Sequence, residues 1–157
     1  MYTVIYDGNC NLCVTLVQLL ERLDQGQQFS YVPMQDEATL AEFNVSKADC
    51  EMGMILIAPP PEDTEQNASK DTSEKATQAQ NSQRWQGSDA AEEIGRLLPF
   101  GEVFVQAYRA MPGAKKGGDR TYEFIRDNRY SLFGKRNTTY QPKYPACSDD
   151  SCSKAFS

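Results

Sequence analysis

Apolar residues along this chain fall into a few distinct rhythms. Thr3 to Tyr6 is a short β-rich run closed by the turn signal Asp7-Gly8. From Asn11 to Asp24, Leu12, Leu16, Leu19, Leu20 and Leu23 recur at helical spacing, which predicts an amphipathic helix with a leucine face, and Gly26 is its stop. Phe29-Ser30-Tyr31-Val32-Pro33 reads as a second strand. Asp36 to Phe43 reads as a short helix with Leu40 and Phe43 on its buried face. Met54 to Ala58 is a continuous apolar run, the pattern of a central strand covered on both sides.

The pattern breaks at Pro59. Residues 59–83 begin with three prolines and continue in Glu, Asp, Thr, Gln, Asn, Ser and Lys, with Ala as the only apolar type. Such a segment cannot bury enough surface to offset its ordering entropy, which predicts a disordered insertion within a hairpin. Arg84-Trp85-Gln86 is the returning strand. Asp89 and Glu92 are spaced as a capping box for a helix that buries Ile94, Leu97 and Leu98 and ends at Pro99. Further helices are expected over Glu102–Ala110 and over Arg120 to Tyr130, the second with Tyr122, Ile125, Arg129 and Leu132-Phe133 as one stripe. The order β-α-β-α-β-insertion-β-α-α-α predicts an α/β, thioredoxin-like fold: about four mixed strands flanked by helices, with a C-terminal helical extension. Residues 1–136 form the expected domain and 137–157 a flexible, cysteine-containing tail.

Charge changes this picture little. The 157 residues carry a net −6, which argues against a nucleic-acid binder. Arg109 to Lys143 nevertheless holds nine Lys/Arg against three Asp/Glu. There is no signal-peptide pattern and no apolar run approaching the ~20 residues of a membrane span, so a cytoplasmic protein is expected. In a reducing compartment the five cysteines are expected to be catalytic, metal-binding or incidental rather than a disulfide framework. The absence of histidine removes Ser-His-Asp and Cys-His nucleophile systems and every His-containing metal site.

The chemistry concentrates in Asp7-Gly8-Asn9-Cys10-Asn11-Leu12-Cys13, where the first strand hands over to the first helix. One helical turn brings the sulfurs of a C-x-x-C pair close enough to bond. The unpaired N–H groups and positive dipole end of a helix start favour thiolate, which makes Cys10 the candidate nucleophile and Cys13 the resolving thiol. Asp7 is a candidate proton acceptor when Cys13 attacks, or alternatively a turn residue bonding the backbone at the helix start. No cofactor is needed for this chemistry. The expected partners are a protein or small-molecule disulfide and an electron donor of unidentified nature.

These residues resemble the signature of the DCC family of thiol–disulfide oxidoreductases, Asp-Gly-x-Cys-x-x-Cys after a hydrophobic strand. A second block is similar to that family's C-terminal motif: Tyr122, then Arg129-Tyr130, Phe133-Gly134 and Arg136. The Met54–Ala58 strand and the Ser88-Asp89-Ala90-Ala91 helix start also resemble family counterparts, so the likeness spans residues 2–136 apart from the insertion. The resemblance implies a thioredoxin-like fold and an oxidoreductase resting on the cysteine pair. Unlike the better-known thioredoxins, the chain lacks Trp-Cys-Gly-Pro-Cys, and Glu51-Met52-Gly53 lacks the proline that faces the cysteines there and keeps metals off them.

Other readings stay open beside this one. A zinc- or iron-binding module without turnover would use the same pair, with Cys147 and Cys152 completing a four-cysteine set. Those tail cysteines could instead relay electrons or be incidental, and Cys50 is expected to be buried and inert. Asp7 at a strand end also suggests a phosphatase nucleophile, but the partner position is Asn9 and no later acidic pair follows a strand. Arg126, Arg129, Lys135 and Arg136 could meet an acidic or phosphate-bearing partner, although solvated helix-surface charge is the commoner cause of such a run. Tyr122, Tyr130 and Phe133 are expected in the core.

Overall fold

The computed structural model describes residues 1–59, 83–98 and 101–146. Strand β1 (Tyr2–Tyr6) runs parallel to β2 (Phe29–Pro33), with Tyr2 opposite Phe29 and Tyr6 opposite Pro33. On its other side β1 pairs antiparallel with β3 (Ile55–Ile57), which pairs antiparallel with β4 (Arg84–Gln86). The resulting four-stranded mixed sheet has the order β2-β1-β3-β4. Alternation along β1 sends Val4 and Tyr6 into one core and Ile5 into the other, so both faces of the sheet are covered. With its flanking helices this is an α/β, thioredoxin-like architecture.

Helix α1 (Asn11–Asp24) has the bounds the spacing predicts, but it buries a different face. Val14, Val17 and Leu20 pack on the sheet with Phe29 and Tyr31, whereas Leu16, Leu19 and Leu23 are 43%, 50% and 52% exposed. Two apolar stripes compete on this helix, and the hydrophobic count favoured the wrong one. The buried face also carries Glu21 and Asp24, whose carboxylates are satisfied by later chain. Asp24 accepts from the amides of Gln28 and Phe29, and Glu21 from the Tyr140 hydroxyl and the Lys143 amide. Those partners make a polar face buriable, and periodicity cannot reveal them.

Helix α2 (Glu37–Glu42) is capped by Asp36 and buries Leu40. A helix absent from the sequence reading follows, α3 (Lys47–Glu51), opened by a full Ser46–Asp49 capping box. It places Cys50 in the second core beside Val45 and Ile55, and burial raises that thiol's pKa, as an inert cysteine requires.

Helix α4 (Ser88–Leu97) starts from Gly87 with no side-chain cap. The expected Asp89–Glu92 box does not form, because the helix begins at Ser88 and leaves Asp89 inside its first turn rather than at the N-cap; both carboxylates face Lys115, at 2.5 and 3.4 Å. Ser88 donates to Asp119 instead. Helices α5 (Gly101–Ala110) and α6 (Ala114–Phe133) complete the extension, and α6 begins a turn and a half before the predicted start at Arg120. The α6 stripe divides on folding. Arg129 is buried and Tyr122 and Ile125 are half-buried, while Tyr130, Leu132 and Phe133 are exposed rather than in the core.

Residues 137–146, expected to open a flexible tail, lie against the body. Tyr140 donates its amide to the Gly8 carbonyl, and Tyr144 and Ala146 bond to both sides of Tyr31 along the free edge of β2. Cys147 and Cys152 lie outside the described residues, as do residues 60–82 of the expected insertion. At its root that hairpin is closed by a bond from the Ala58 amide to the Gln83 carbonyl at 2.8 Å. Loop length enters closure entropy only logarithmically, so replacing residues 60–82 with a short Gly-containing turn should shift the thermal midpoint by less than roughly 5 °C. A thermal melt checks this, and a large loss would mean that the segment packs on the body.

Candidate active site

The strand-to-helix handover forms the site. Cys10 is the N-cap of α1 and has extended backbone angles. Its Sγ accepts the Cys13 amide at 3.5 Å, in the place where an oxygen side chain usually caps a helix. The two expected thiols are therefore brought together. Among the described residues Cys10, Cys13 and Cys50 are all free thiols.

The environment drives the two thiols apart in acidity. The Cys13 thiol's hydrogen bond lowers the Cys10 pKa to about 6, against the opposing effect of burial. The Cys13 amide and the nearby Arg129 charge add to the lowering, and the Asp7 charge works against it. Cys13 shifts strongly upward, first because its proton is held by Cys10 and then because it is buried beside a negative sulfur. At neutral pH the pair is a thiolate at the helix start with a protonated thiol donating to it.

Asp7 directly follows β1 and is buried. Its Oδ1 accepts the Asn9 amide and the Gln35 side-chain amide, both at 2.9 Å. Its Oδ2 accepts the Tyr130 hydroxyl and faces the Arg129 guanidinium at 3.5 Å. Burial acts to raise the Asp7 pKa, but the bonds from Tyr130, Asn9 and Gln35, together with Arg129, outweigh it and hold the carboxyl below its usual value. Both oxygens are doubly engaged, and the bond from the Asn9 amide is the turn-forming contact.

Arg129, weighed on sequence alone as a surface charge, is buried at 8% exposure and is the cation of this cluster. It donates to the Tyr130 hydroxyl at 3.3 Å and lies 4.9 Å from that ring's centre. Arg126 does behave as a surface charge, pairing with neighbouring Asp127. Gln35 and Tyr130 were missed as site residues. Tyr130 sat within the quoted C-terminal block, but nothing in the helical spacing marked its hydroxyl as an Asp7 partner. Tyr122, on the same helix, accepts the Met54 amide at 3.2 Å and lies over Gly53, where φ is +133° and an added Cβ would come within 2.5 Å of the tyrosine oxygen.

The segment after α6 covers this site. The amides of Asn11 and Arg136 bond to the carbonyls of Gly134 and Asn9, which makes an antiparallel bridge between Cys10 and Lys135. Gly8 permits the approach, since a Cβ there would come within 2.6 Å of the Thr139 methyl. Beneath this cover Cys10 is 0% exposed, while Cys13 is only half-buried.

Among the described residues no three His, Cys, Asp or Glu side chains converge as a metal set, and no helix is long and apolar enough to cross a membrane. No curated protein and no solved structure matches the chain. A family model described as DCC1-like thiol-disulfide oxidoreductase matches residues 4–61 and 57–135, which takes in the strand, the cysteine pair, Asp7 and the Arg129-Tyr130 pair that completes the cluster. With both halves of the site inside the match, the chain belongs to the DCC1-like thiol-disulfide oxidoreductase family.

Proposed function

We propose that this protein performs dithiol–disulfide exchange through Cys10 and Cys13. The observation that carries the reading is the Cys13 amide donating to the Cys10 sulfur at the start of α1, which sets the two thiols one helical turn apart. The Cys10 thiolate attacks one sulfur of a substrate disulfide R–S–S–R′, forming Cys10–S–S–R and expelling R′–S⁻. That leaving thiolate takes the Cys13 proton. Cys13 then attacks the Cys10 sulfur, closes the Cys10–Cys13 disulfide and expels R–S⁻. Two electrons pass from the protein dithiol to the substrate, and a separate dithiol or other donor restores the reduced pair.

Asp7 acts as a positioning residue. It ties the Asn9 turn to α6 and neutralises Arg129, whose charge in turn favours the Cys10 thiolate. The substrate is a protein or small-molecule disulfide, and a thiol-rich compartment such as the cytoplasm suits turnover in the reducing direction.

Native mass spectrometry after redox equilibration tests the reading. The expected result is a reversible loss of two hydrogens on oxidation, localised to the peptide with Cys10 and Cys13, together with reduction of a small disulfide by the dithiol form. A protein that carries one zinc or iron per chain and reduces no disulfide would replace this reading with the metal-binding one.

A further inference from the structure

A nucleophile with no exposed surface cannot reach a substrate sulfur, and Cys10 is 0% exposed. Its cover has an unusual construction. Residues 135–139 run between Gly134, which ends α6 at φ +82°, and Tyr140, which is anchored four ways. The Tyr140 amide donates to the Gly8 carbonyl, its hydroxyl donates to Glu21, its carbonyl accepts the Tyr6 hydroxyl, and its ring packs on the first core. Between these two points no side chain belongs to either core. Lys135, Asn137 and Thr138 are exposed.

The span is held down mainly by polar contacts: the Asn11 amide to Gly134 at 3.4 Å, the Arg136 amide to Asn9 at 2.7 Å, the Thr139 hydroxyl to the Asn9 side chain at 2.9 Å, and the Lys135 ammonium 5.7 Å from the centre of the Tyr130 ring, with the Thr139 methyl close over Gly8. A segment tied by a few polar contacts, with no side chain in either core, opens at low free energy while its anchored ends stay in place.

We infer that residues 135–139 form a gate over Cys10, hinged at Gly134 and anchored at Tyr140, and that Cys10 reacts only when this gate lifts. The closed gate protects a thiolate from adventitious oxidation, and opening presents it to a disulfide together with the carbonyl of Asn9 and the amide of Asn11. Those two backbone groups are the ones the gate itself occupies when closed. The gate has functional meaning only if Cys10 is the nucleophile proposed above, whereas its opening can be measured without any exchange activity.

The experiment is alkylation of the intact, reduced chain by iodoacetamide at pH 8, with Cys10 modification followed by peptide mass. Wild-type Cys10 should react on the order of tenfold or more slowly than Cys10 of the urea-unfolded chain, once both rates are corrected for thiolate fraction. Thr139→Val removes the bond to Asn9, and Arg136→Pro removes the donor to the Asn9 carbonyl. Each should raise the open population and the alkylation rate about fivefold. Hydrogen exchange at the Asn11 amide, protected only by Gly134, should rise in step, while the thiolate absorbance titrates at an unchanged midpoint. Thr139→Val changes a single hydroxyl and decides the matter if Arg136→Pro does not fold. A wild-type rate equal to that of the unfolded chain overturns the gate, as does faster Asn11 exchange with unchanged alkylation. Gated alkylation in a chain that reduces no disulfide would refute the exchange reading and leave the gate standing.

Discussion

Cys10→Ser is expected to abolish disulfide exchange, and Cys13→Ser to stop it one step later, with the substrate trapped on Cys10. The asymmetry follows from the acidities of the two thiols. Cys10 is held as thiolate down to about pH 6 by hydrogen bonds from Cys13 and by the Arg129 charge, so it alone has a nucleophilic form at neutral pH. Cys13 keeps its proton until the Cys10 sulfur loses its negative charge on forming the mixed disulfide, which removes the largest of the causes that raise its pKa and leaves burial and the Asp7 charge in place. A serine at position 13 still donates to Cys10 but cannot attack, and so the mixed disulfide accumulates. Intact-mass measurement should show it at one substrate thiol per chain. Release of the thiol at the wild-type rate from Cys13→Ser would mean that another cysteine resolves.

The same pair sets a pH dependence. With the gate-opening rate constant across pH, wild-type alkylation of Cys10 should rise with a midpoint near 6, compared with about 8.5 for an unperturbed thiol. Cys13→Ala removes the first cause of the lowering and should move that midpoint upward.

Asp7→Ala should cost the fold about 3 kcal/mol or more, since it leaves the Arg129 guanidinium buried without its carboxylate. It also strips acceptors from Asn9, Gln35 and Tyr130. Asp7→Asn keeps an acceptor for the Asn9 amide and should cost less. The Asp7 pKa is lowered on folding, so its contribution is fully present above the unfolded carboxyl value of about 3.9. It fades as pH falls through the lower folded value. Urea melts of wild type and Asp7→Asn should therefore differ by a constant amount at neutral pH and converge in strong acid.

This variant also separates positioning from proton transfer. Asp7 opposes ionisation of Cys10, so losing its charge should lower the Cys10 pKa further. Resolution of the mixed disulfide should then stay within a few-fold of wild type. A loss of 10² or more in the resolution rate, the scale of a general base, would restore Asp7 as the proton acceptor.

Local signals were legible wherever one turn of chain contains the whole reason for a structure. The bounds of α1, β2 and β4, and the meeting of Cys10 with Cys13, depend on spacings that a single helix or strand enforces. The Ser46–Asp49 box is of the same kind, since its two residues stand three positions apart. Local signals misled where the helix began earlier than its mark. Asp89 carries the sequence mark of a capping box, yet the helix starts at Ser88 from Gly87, and the Asp89 carboxylate meets Lys115, 26 positions away.

By itself, then, the sequence determined the α/β order of elements, the family likeness and the closeness of Cys10 to Cys13, because these follow from residue type and short spacing. Only the tertiary structure decided which face of α1 is buried, since that depends on Tyr140 and Lys143 arriving to satisfy Glu21. It likewise decided that Arg129 and Tyr130 belong to Asp7, 122 and 123 positions away, and that Lys135 pairs with Cys10. Burial turns an ordinary surface arginine into a site charge and a polar tail into a cover, and burial is a property of the folded chain that no local pattern of residues encodes.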